Sequence, residues 1–321
     1  MKTNLLTVLV PVYNEEECLH SLYDRLQKMM VRLPCEVELL FVNDGSTDRS
    51  LELVRFLQQR DTRISCVDLS RNFGKERALS AGIDYAQGDA LVIIDADLQD
   101  PPELIPRMLE EIENGYDDVY ACRSSRQGET WFKRWTSKVY YRWLHHLSDI
   151  PVQVDTGDFR MFSAKALRAL RRLKESERNM KGLFSYIGMR KKAVYYDRDP
   201  RVAGATKWSF WKLFDLAIKG LTSFSVLPLR FVSFLGGIVS VAAFVFLLVV
   251  VCKAVFYGDP VAGYPSLMAV QLFLGGSILL ALGVIGEYLG IVYNETKRRP
   301  VYYVNEYAPM QTAEDKDKGN M

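Results

Sequence analysis

Two long stretches without a charged side chain limit what this chain can fold into. They span residues 231–252 and 266–286. As a helix, the first stretch would extend about 33 Å at about 1.5 Å per residue, enough to cross a bilayer core of about 30 Å. Residues 230 and 297–299 are all Lys or Arg, whereas the loop between the stretches contains one basic residue, Lys253. The positive-inside rule therefore predicts a membrane hairpin with both ends in the cytoplasm, and two buried core helices are the alternative.

The charged residues are divided unevenly along the rest of the chain. Residues 1–122 carry 23 acidic and 12 basic side chains, whereas residues 123–230 carry 23 basic and 9 acidic ones. The net charge of +2 therefore conceals an acidic part followed by a basic part. With 49% hydrophobic residues, the composition excludes a disordered or collagen-like chain. The five cysteines form no CxxC pair, so we expect reduced thiols rather than disulfides or a zinc site.

Short apolar runs alternate with helical patterns in the acidic part. Strands are expected at residues 5–12, 36–43, 64–69, 90–94 and 118–121. Helices are expected at residues 16–32, 50–59, 75–86 and, further on, 165–174. This alternation predicts an α/β fold with a mostly parallel sheet. Ligands bind beyond the carboxyl ends of the strands in such sheets, so we expect the site residues directly after the strands.

Asp95 and Asp97 form the clearest candidate site, because they follow the apolar strand expected at residues 90–94. Side chains at i and i+2 of an extended segment point the same way, so both carboxylates can face one cation. Hard oxygen ligands suit Mg²⁺ or Mn²⁺. Asp44 follows another strand, and two acidic strand ends in one parallel sheet define one crevice. Taken alone, each segment has an alternative interpretation. Asp95 and Asp97 could be exposed turn residues, and the turn around Asp44 could only cap the next helix.

Four segments occur in order: Val10-Pro11-Val12-Tyr13-Asn14-Glu15, Asn43-Asp44-Gly45-Ser46, Asn72-Phe73-Gly74-Lys75 and Asp95-Ala96-Asp97-Leu98-Gln99-Asp100-Pro101. Together they resemble the motifs of family 2 glycosyltransferases with the GT-A fold. Within that family the chain is most similar to the polyisoprenyl-phosphate glycosyltransferases, which include dolichol-phosphate mannose synthase. The later segment Gly286-Glu287-Tyr288-Leu289-Gly290 resembles the bactoprenol glucosyltransferase branch. The chain lacks the QxxRW motif of processive synthases, which indicates single transfer.

The resemblance implies a role for each candidate site residue. The nucleotide sugar would be bound by Pro11, Tyr13, Glu15, Asp44, Lys75 and Asp95. The metal, Mg²⁺ or Mn²⁺, would be bound by Asp97 and Gln99. The acceptor phosphate would be bound by Arg123, Arg134, Arg160 and Lys207. The catalytic residues would be Asp158, Arg123 and Arg134. Arg and Lys side chains suit this role, because the acceptor is itself a phosphate and they donate charged hydrogen bonds to it.

Asp158 has two alternative roles. A phosphate monoester has a second pKa near 6 and is largely dianionic at neutral pH, so the acceptor does not strictly require a base. We therefore expect Asp158 to orient Arg160 or another cation together with the acceptor. The alternative is that Asp158 accepts a proton.

The reaction that the resemblance implies is an inverting, metal-dependent transfer of one glucose from UDP-glucose to undecaprenyl (polyprenyl) phosphate. It would occur on the cytoplasmic leaflet of a bacterial inner membrane. GDP-mannose, UDP-N-acetylglucosamine and UDP-amino-arabinose are alternative donors. A non-catalytic membrane scaffold that binds nucleotide sugars is the alternative of another class, and the presence of Asp95 and Asp97 disfavours it. The resemblance also implies a homotetramer, and we expect no nucleic-acid partner.

These features divide the chain into four predicted parts. The parts are a cytoplasmic GT-A domain at residues 1–208, an amphipathic juxtamembrane helix at 209–229, two transmembrane helices within 230–294 (about 231–252 and 266–290), and a cytoplasmic C-terminal tail at 295–321. A plain surface helix is the alternative for residues 209–229. The polar residues 308–321 are expected to be disordered.

Overall fold

A computed structural model of the chain describes residues 2–123, 156–175, 180–196, 227–257 and 263–311. The chain forms two compact units. One unit contains a β-sheet with its packed helices, and it also includes the residues that follow the second long helix. The other unit contains the two long helices.

The first unit is built on one sheet, whose described strands lie in the order β7-β5-β6-β4-β1-β2-β3-β8. The strands are β1 (Leu5–Val12), β2 (Glu36–Asn43), β3 (Ile64–Leu69), β4 (Ala90–Ile93), β5 (Asp118–Arg123), β6 (Thr156–Phe162), β7 (Lys191–Tyr196) and β8 (Val304–Ala308). Strands β6 and β8 are antiparallel to their neighbours, and the remaining pairs are parallel. The predicted α/β class with a mostly parallel sheet is confirmed.

Helices cover both faces of the sheet. They are α1 (Glu16–Met30), α2 (Ser50–Arg60), α3 (Lys75–Tyr85), a short 3₁₀ turn (Pro102–Leu104), α4 (Ile105–Glu113), α5 (Ala164–Arg172) and α6 (Met180–Tyr186). In β1, Val8 and Val10 pack in the core shared with α1, α2 and α4, whereas Leu9 packs in the core shared with α3, α5 and α6. Burial on both faces explains why the central strands are almost continuous apolar runs.

The expected elements of the acidic part lie close to the observed ones. Strands β1, β2 and β3 have the expected bounds, whereas β4 ends one residue earlier and β5 continues to Arg123. Helices α1, α2, α3 and α5 differ from their expected ends by one or two residues. The sequence did not predict β6, β7 or β8.

Strand β8 lies within the residues expected to form a C-terminal tail. It pairs antiparallel with β3 and covers an edge of the sheet. Beside it, the Ser70 N–H donates to the Tyr303 carbonyl at 3.0 Å, and the Gln311 N–H donates to the Thr62 carbonyl at 2.9 Å. The tail prediction missed β8, because nothing in the local sequence shows that residues 304–308 cover the edge of β3.

The second unit contains helices α7 (Leu227–Tyr257) and α8 (Tyr264–Thr296), in which the two uncharged stretches lie. Within the part of the chain that the structure describes, Phe273–Thr296 has the length and composition to cross a membrane. Phe231–Phe246 is a shorter apolar helical segment. Most of the juxtamembrane helix expected at residues 209–229 lies outside the described residues.

Gly45 gives a testable prediction about the loops that follow β2 and β3. It has a φ of +63°, and a Cβ there would lie 2.4 Å from the carbonyl carbon of Arg71. Gly74 also has a positive φ, of +96°, but a Cβ there would meet nothing within 4 Å. We expect Gly74→Ala to cost about 1–3 kcal/mol of unfolding free energy from backbone strain, because its φ of +96° and ψ of 152° lie in a region almost confined to glycine. We expect Gly45→Ala to lose more, because a clash that costs about 1–3 kcal/mol adds to its own backbone strain.

Denaturant unfolding of the full chain in detergent measures both losses. Equal losses for the two variants would contradict the predicted clash between the loops.

Candidate functional site

A cavity of about 270 Å³ opens at the carboxyl ends of β1, β2 and β4. It is lined by Pro11, Val12, Tyr13, Glu15, Asp44, Asn72, Gly74, Lys75, Ala78, Asp95, Ala96 and Asp97. This is the edge of the sheet where a ligand site was expected. The lining includes all six residues predicted to bind the nucleotide sugar and one of the two predicted metal ligands.

Lys75 joins two carboxylates at this edge of the sheet. Its Nζ lies 2.7 Å from the Asp95 carboxylate and 2.6 Å from Oδ2 of Asp158. The register of the strands explains the meeting, because Ile93 of β4 lies opposite Arg160 of the antiparallel β6. Two residues beyond this pair, toward the same edge of the sheet, Asp95 follows β4 and lies beside Asp158 of β6. The sequence indicated both carboxylates separately but did not link them to one cation.

Burial and the ion pairs together shift the pKa values of all three groups. Burial alone would lower the pKa of Lys75, but the two carboxylates raise it above its ordinary value. Burial raises the pKa of Asp158, but the charges of Lys75 and Lys181 outweigh burial and hold this pKa below its ordinary value. For Asp95, burial outweighs the pairing with Lys75, so its pKa is raised. Asp158 is therefore the more acidic of the two carboxyls.

Asp44 ties the loop after β2 to the loop after β3. Its side chain is buried; Oδ1 accepts the Phe73 N–H at 2.7 Å and Oδ2 accepts the Gly74 N–H at 2.9 Å. Burial raises the pKa of Asp44, and the two hydrogen bonds oppose that rise. Gly74 directly precedes α3, so these bonds set the position at which Lys75 begins the helix. The contact of Asp44 with the nucleoside stays a prediction.

Asn14 ties the loop after β1 to the loop after β2. Its φ of +55° lies in the left-handed region, which Asn adopts more readily than most residues. Its N–H donates to Ser46 Oγ at 3.1 Å, and its Oδ1 accepts the Thr47 N–H at 2.8 Å. These bonds hold Tyr13 and Glu15, which flank Asn14 and line the cavity. The sequence analysis quoted Asn14 within a motif but did not assign this role to it.

Asp97 lies where its carboxylate could bind a divalent cation at the cavity. Its carboxylate lines the cavity, and its Oδ1 accepts the Gln99 N–H at 3.2 Å across Leu98, whose φ is +61°. In the described ranges, no group of three or more His, Cys, Asp or Glu side chains could hold a metal by itself. A single carboxylate at the cavity suits Mg²⁺, because Mg²⁺ is usually bound through one or two carboxylates together with substrate phosphates. Gln99 itself is 4% exposed and does not line the cavity, so its role as a ligand stays a prediction.

Arg160 does not lie where an acceptor phosphate would approach from solvent. It is 1% exposed, its Nη1 donates to Asp118 at 3.2 Å, and its guanidinium lies 4.5 Å from the centre of the Phe184 ring. Burial lowers the pKa of Arg160. These contacts give Arg160 a structural role in the sheet, and its contact with the acceptor phosphate stays a prediction. The other predicted acceptor cations lie outside the description, which omits the side chain of Arg123 and all of Arg134 and Lys207.

The chain is similar to known glycosyltransferases over nearly its whole length. Residues 7–171 match the family model "Glycosyl transferase family 2". The chain is 48% identical to an uncharacterized glycosyltransferase of Synechocystis sp., over 95% of this chain and 98% of that protein. It is 40% identical to the bactoprenol glucosyl transferase of Shigella phage SfX, over 93% of this chain and 98% of that protein. A solved glucosyl-3-phosphoglycerate synthase of Mycobacterium tuberculosis aligns with 68% of this chain and 76% of that chain, with a TM-score of 0.48 and 20% identity.

Lys75→Met gives a testable prediction about the charge cluster. Because the folded-state pKa of Asp158 is lowered, its pairing stabilises the protein above the ordinary pKa of Asp, and this stabilisation is lost as pH falls through the lowered value. Breaking a buried ion pair costs about 3–5 kcal/mol, and the side chain of Lys75 is 42% exposed. We therefore expect a loss of about 2 kcal/mol at pH 7 and a smaller loss at an acid pH at which Asp158 becomes protonated.

Denaturant unfolding of the full chain at the two pH values measures this difference. Arg49→Met is the matched control, because the Arg49–Glu52 pair is exposed on both sides and contributes little. An equal loss for Lys75→Met at both pH values would contradict the predicted coupling.

Proposed function

The chain belongs to glycosyl transferase family 2 and has its GT-A fold, and we propose that it transfers one glucose from UDP-glucose to undecaprenyl (polyprenyl) phosphate with inversion. The observation that supports this acceptor is the 40% identity with a bactoprenol glucosyl transferase over 93% of this chain. The donor site is supported by the cavity at the strand ends, whose wall carries Lys75, Asp95 and Asp97.

The donor nucleotide would occupy the part of the cavity formed by the loops after β1 and β2. Tyr13 is 46% exposed there and offers an aromatic face on which a base can stack. Pro11, Glu15 and Asp44 complete this part of the wall. We propose that Asp95 lies beside the ribose and the diphosphate.

We propose that Asp97 binds the metal and that the donor diphosphate supplies further ligands. Gln99 is the second predicted protein ligand. A bound Mg²⁺ or Mn²⁺ would offset the negative charge on the departing nucleotide diphosphate. Lys75 supplies a fixed positive charge on the same wall, because two carboxylates hold its ammonium group in place.

The acceptor phosphate would attack the anomeric carbon from the side opposite the nucleotide. An oxygen of the phosphate forms the new bond to carbon while the bond from that carbon to UDP breaks, so no proton need be removed from a dianionic acceptor. Asp158 is poorly suited to accept a proton, since its pKa is lowered and its carboxylate is paired with Lys75. We propose that Asp158 orients Lys75, and that Arg123, Arg134 and Lys207 bind the acceptor phosphate.

Helices α7 and α8 are proposed to be two spans of the cytoplasmic membrane. Strand β8 follows α8 in the chain and yet belongs to the same sheet as β1, which precedes α7. A chain that leaves a sheet and returns to it crosses a bilayer an even number of times between the two points. This topology supports the same side of the membrane for the catalytic unit and the C-terminal residues, and the basic residues 230 and 297–299 beside the helices favour the cytoplasmic side. The homotetramer implied by the resemblance belongs to the same proposal.

A transfer assay with purified full-length protein tests the reaction. With UDP-glucose, Mg²⁺ and undecaprenyl phosphate, mass spectrometry should detect a glucosyl phospholipid. Asp97→Asn should lower the rate about 100-fold or more, because the loss of charge weakens metal binding. Glu103→Gln is the control, since it changes an exposed carboxylate that pairs with Arg25 and does not line the cavity.

A panel containing GDP-mannose, UDP-N-acetylglucosamine and UDP-amino-arabinose identifies the sugar if glucose is not transferred. No lipid product with any donor would overturn the proposal and favour the non-catalytic scaffold.

The pH dependence of Asp158→Asn separates its two alternative roles. If Asp158 orients Lys75, the variant should be about 10- to 100-fold slower at every pH, and the acid limb near pH 6, set by the acceptor phosphate, should remain. Initial rates between pH 5 and pH 9 provide the measurement. An acid limb near pH 6 that appears only in the variant would identify Asp158 as a proton acceptor from the monoanionic phosphate, and an unchanged rate would exclude both roles.

A further inference from the structure

A series of hydrogen bonds leads from strand β8 to the rim of the cavity. The Asn305 side-chain amide donates to Oδ2 of Asp68 at 3.0 Å, and the Asn43 amide donates to Oδ1 of Asp68 at 2.7 Å. The side-chain oxygen Oδ1 of Asn43 then accepts the Ser46 N–H at 3.2 Å. Asp68 and Asn43 are both buried, so the position of each depends on these bonds. Ser46 in turn accepts the N–H of Asn14, which lies between two cavity residues.

A second path starts from Tyr303, which directly precedes β8. Its carbonyl accepts the Ser70 N–H at 3.0 Å, and its ring centre lies 6.4 Å from that of Phe73. The Phe73 N–H is one of the two donors that hold the Asp44 carboxylate. Tyr303 therefore contacts the loop that carries Asn72 and Gly74 into the cavity wall.

The two loops reached by these paths also pack against each other. Gly45 lies so close to Arg71 and Asn72 that a Cβ would clash with their backbone. A shift of either loop is therefore passed on to the other. Residues 43–48 and 70–74 behave as one packed layer behind the donor cavity.

We define residues 302–311 as the C-terminal segment. Other residues of this segment bind the sheet and its helices independently of Asn305 and Tyr303. The Tyr302 hydroxyl donates to Asp84 on α3 at 2.8 Å, and Gln87 donates to the Tyr307 hydroxyl at 2.8 Å. The Met310 N–H donates to Ser65 Oγ at 2.9 Å. Loss of one bond near the loops therefore leaves the segment docked on the sheet.

We propose that the C-terminal segment is a positioning element of the donor site, with Asn305 and Tyr303 as the residues that align the two loops for nucleotide binding. The inference rests on the proposed function only for the identity of the nucleotide. Neither side chain lines the cavity, so each acts through the loops rather than by contact with the donor.

The test compares Asn305→Ala with Tyr302→Phe in the full-length protein. Both variants remove one side-chain hydrogen bond from the C-terminal segment to a carboxylate, but Asp68 leads to the loops whereas Asp84 lies near the far end of α3. We expect Asn305→Ala to raise the Kd for UDP and the KM for the donor about three- to tenfold with kcat nearly unchanged. Tyr302→Phe should leave the Kd unchanged. Tyr303→Leu is a second variant, which removes the ring contact with Phe73 and keeps the backbone bond.

Hydrogen exchange without ligand provides a readout that does not depend on the reaction. In Asn305→Ala, amides of residues 43–48 and 70–74 should exchange faster than in the wild type and in Tyr302→Phe. If the wild type does not bind UDP, the proposed donor is wrong, and the exchange data still decide whether the segment positions the loops. Unchanged exchange and Kd in both Asn305→Ala and Tyr303→Leu would overturn the inference. Equal effects in Tyr302→Phe would also overturn it, because they would indicate general loosening.

Discussion

The pairing of Lys75 with Asp95 and Asp158 is the interaction on which the rest of the site depends. Two carboxylates at adjacent strand ends repel each other and lose hydration, so their burial requires a cation between them. Lys75 can supply that charge only if α3 begins at the right place, and Asp44 sets that place through the Phe73 and Gly74 N–H groups. The charge cluster and the cavity wall are therefore one arrangement, in which the strand register and the loop bonds have to agree.

Much of the fold could be predicted from the sequence, because β1 to β4 are buried on both faces. Burial on both faces leaves long apolar runs, and the helices between them show their own periodicity. The later strands have no such signal. In β6, Asp158 and Arg160 alternate with apolar residues, and β8 is a five-residue edge strand with two polar side chains. The pairing of such strands depends on residues far away in the chain.

Part of the candidate site could also be predicted from the sequence, namely the residues that follow the apolar strands. Asp44, Asp95 and Asp97 follow predictable strands, so their position at one edge of the sheet could be inferred from the sequence. Arg160 could not be placed in this way, because its burial depends on Asp118, which is 42 residues earlier in the chain. Likewise, the link between Asp95 and Asp158 depends on the register of β6, which no local pattern specifies.

The position of β8 also has a consequence for biosynthesis. A ribosome completes β1 to β7 and then both long helices before it releases the residues that cover β3. Until then, the edge of β3 exposes unpaired backbone N–H and C=O groups, which are prone to pair with other nascent chains. Strand β8 therefore closes the sheet only after the apolar helices have been synthesised, so the catalytic unit cannot be completed before both long helices have been made.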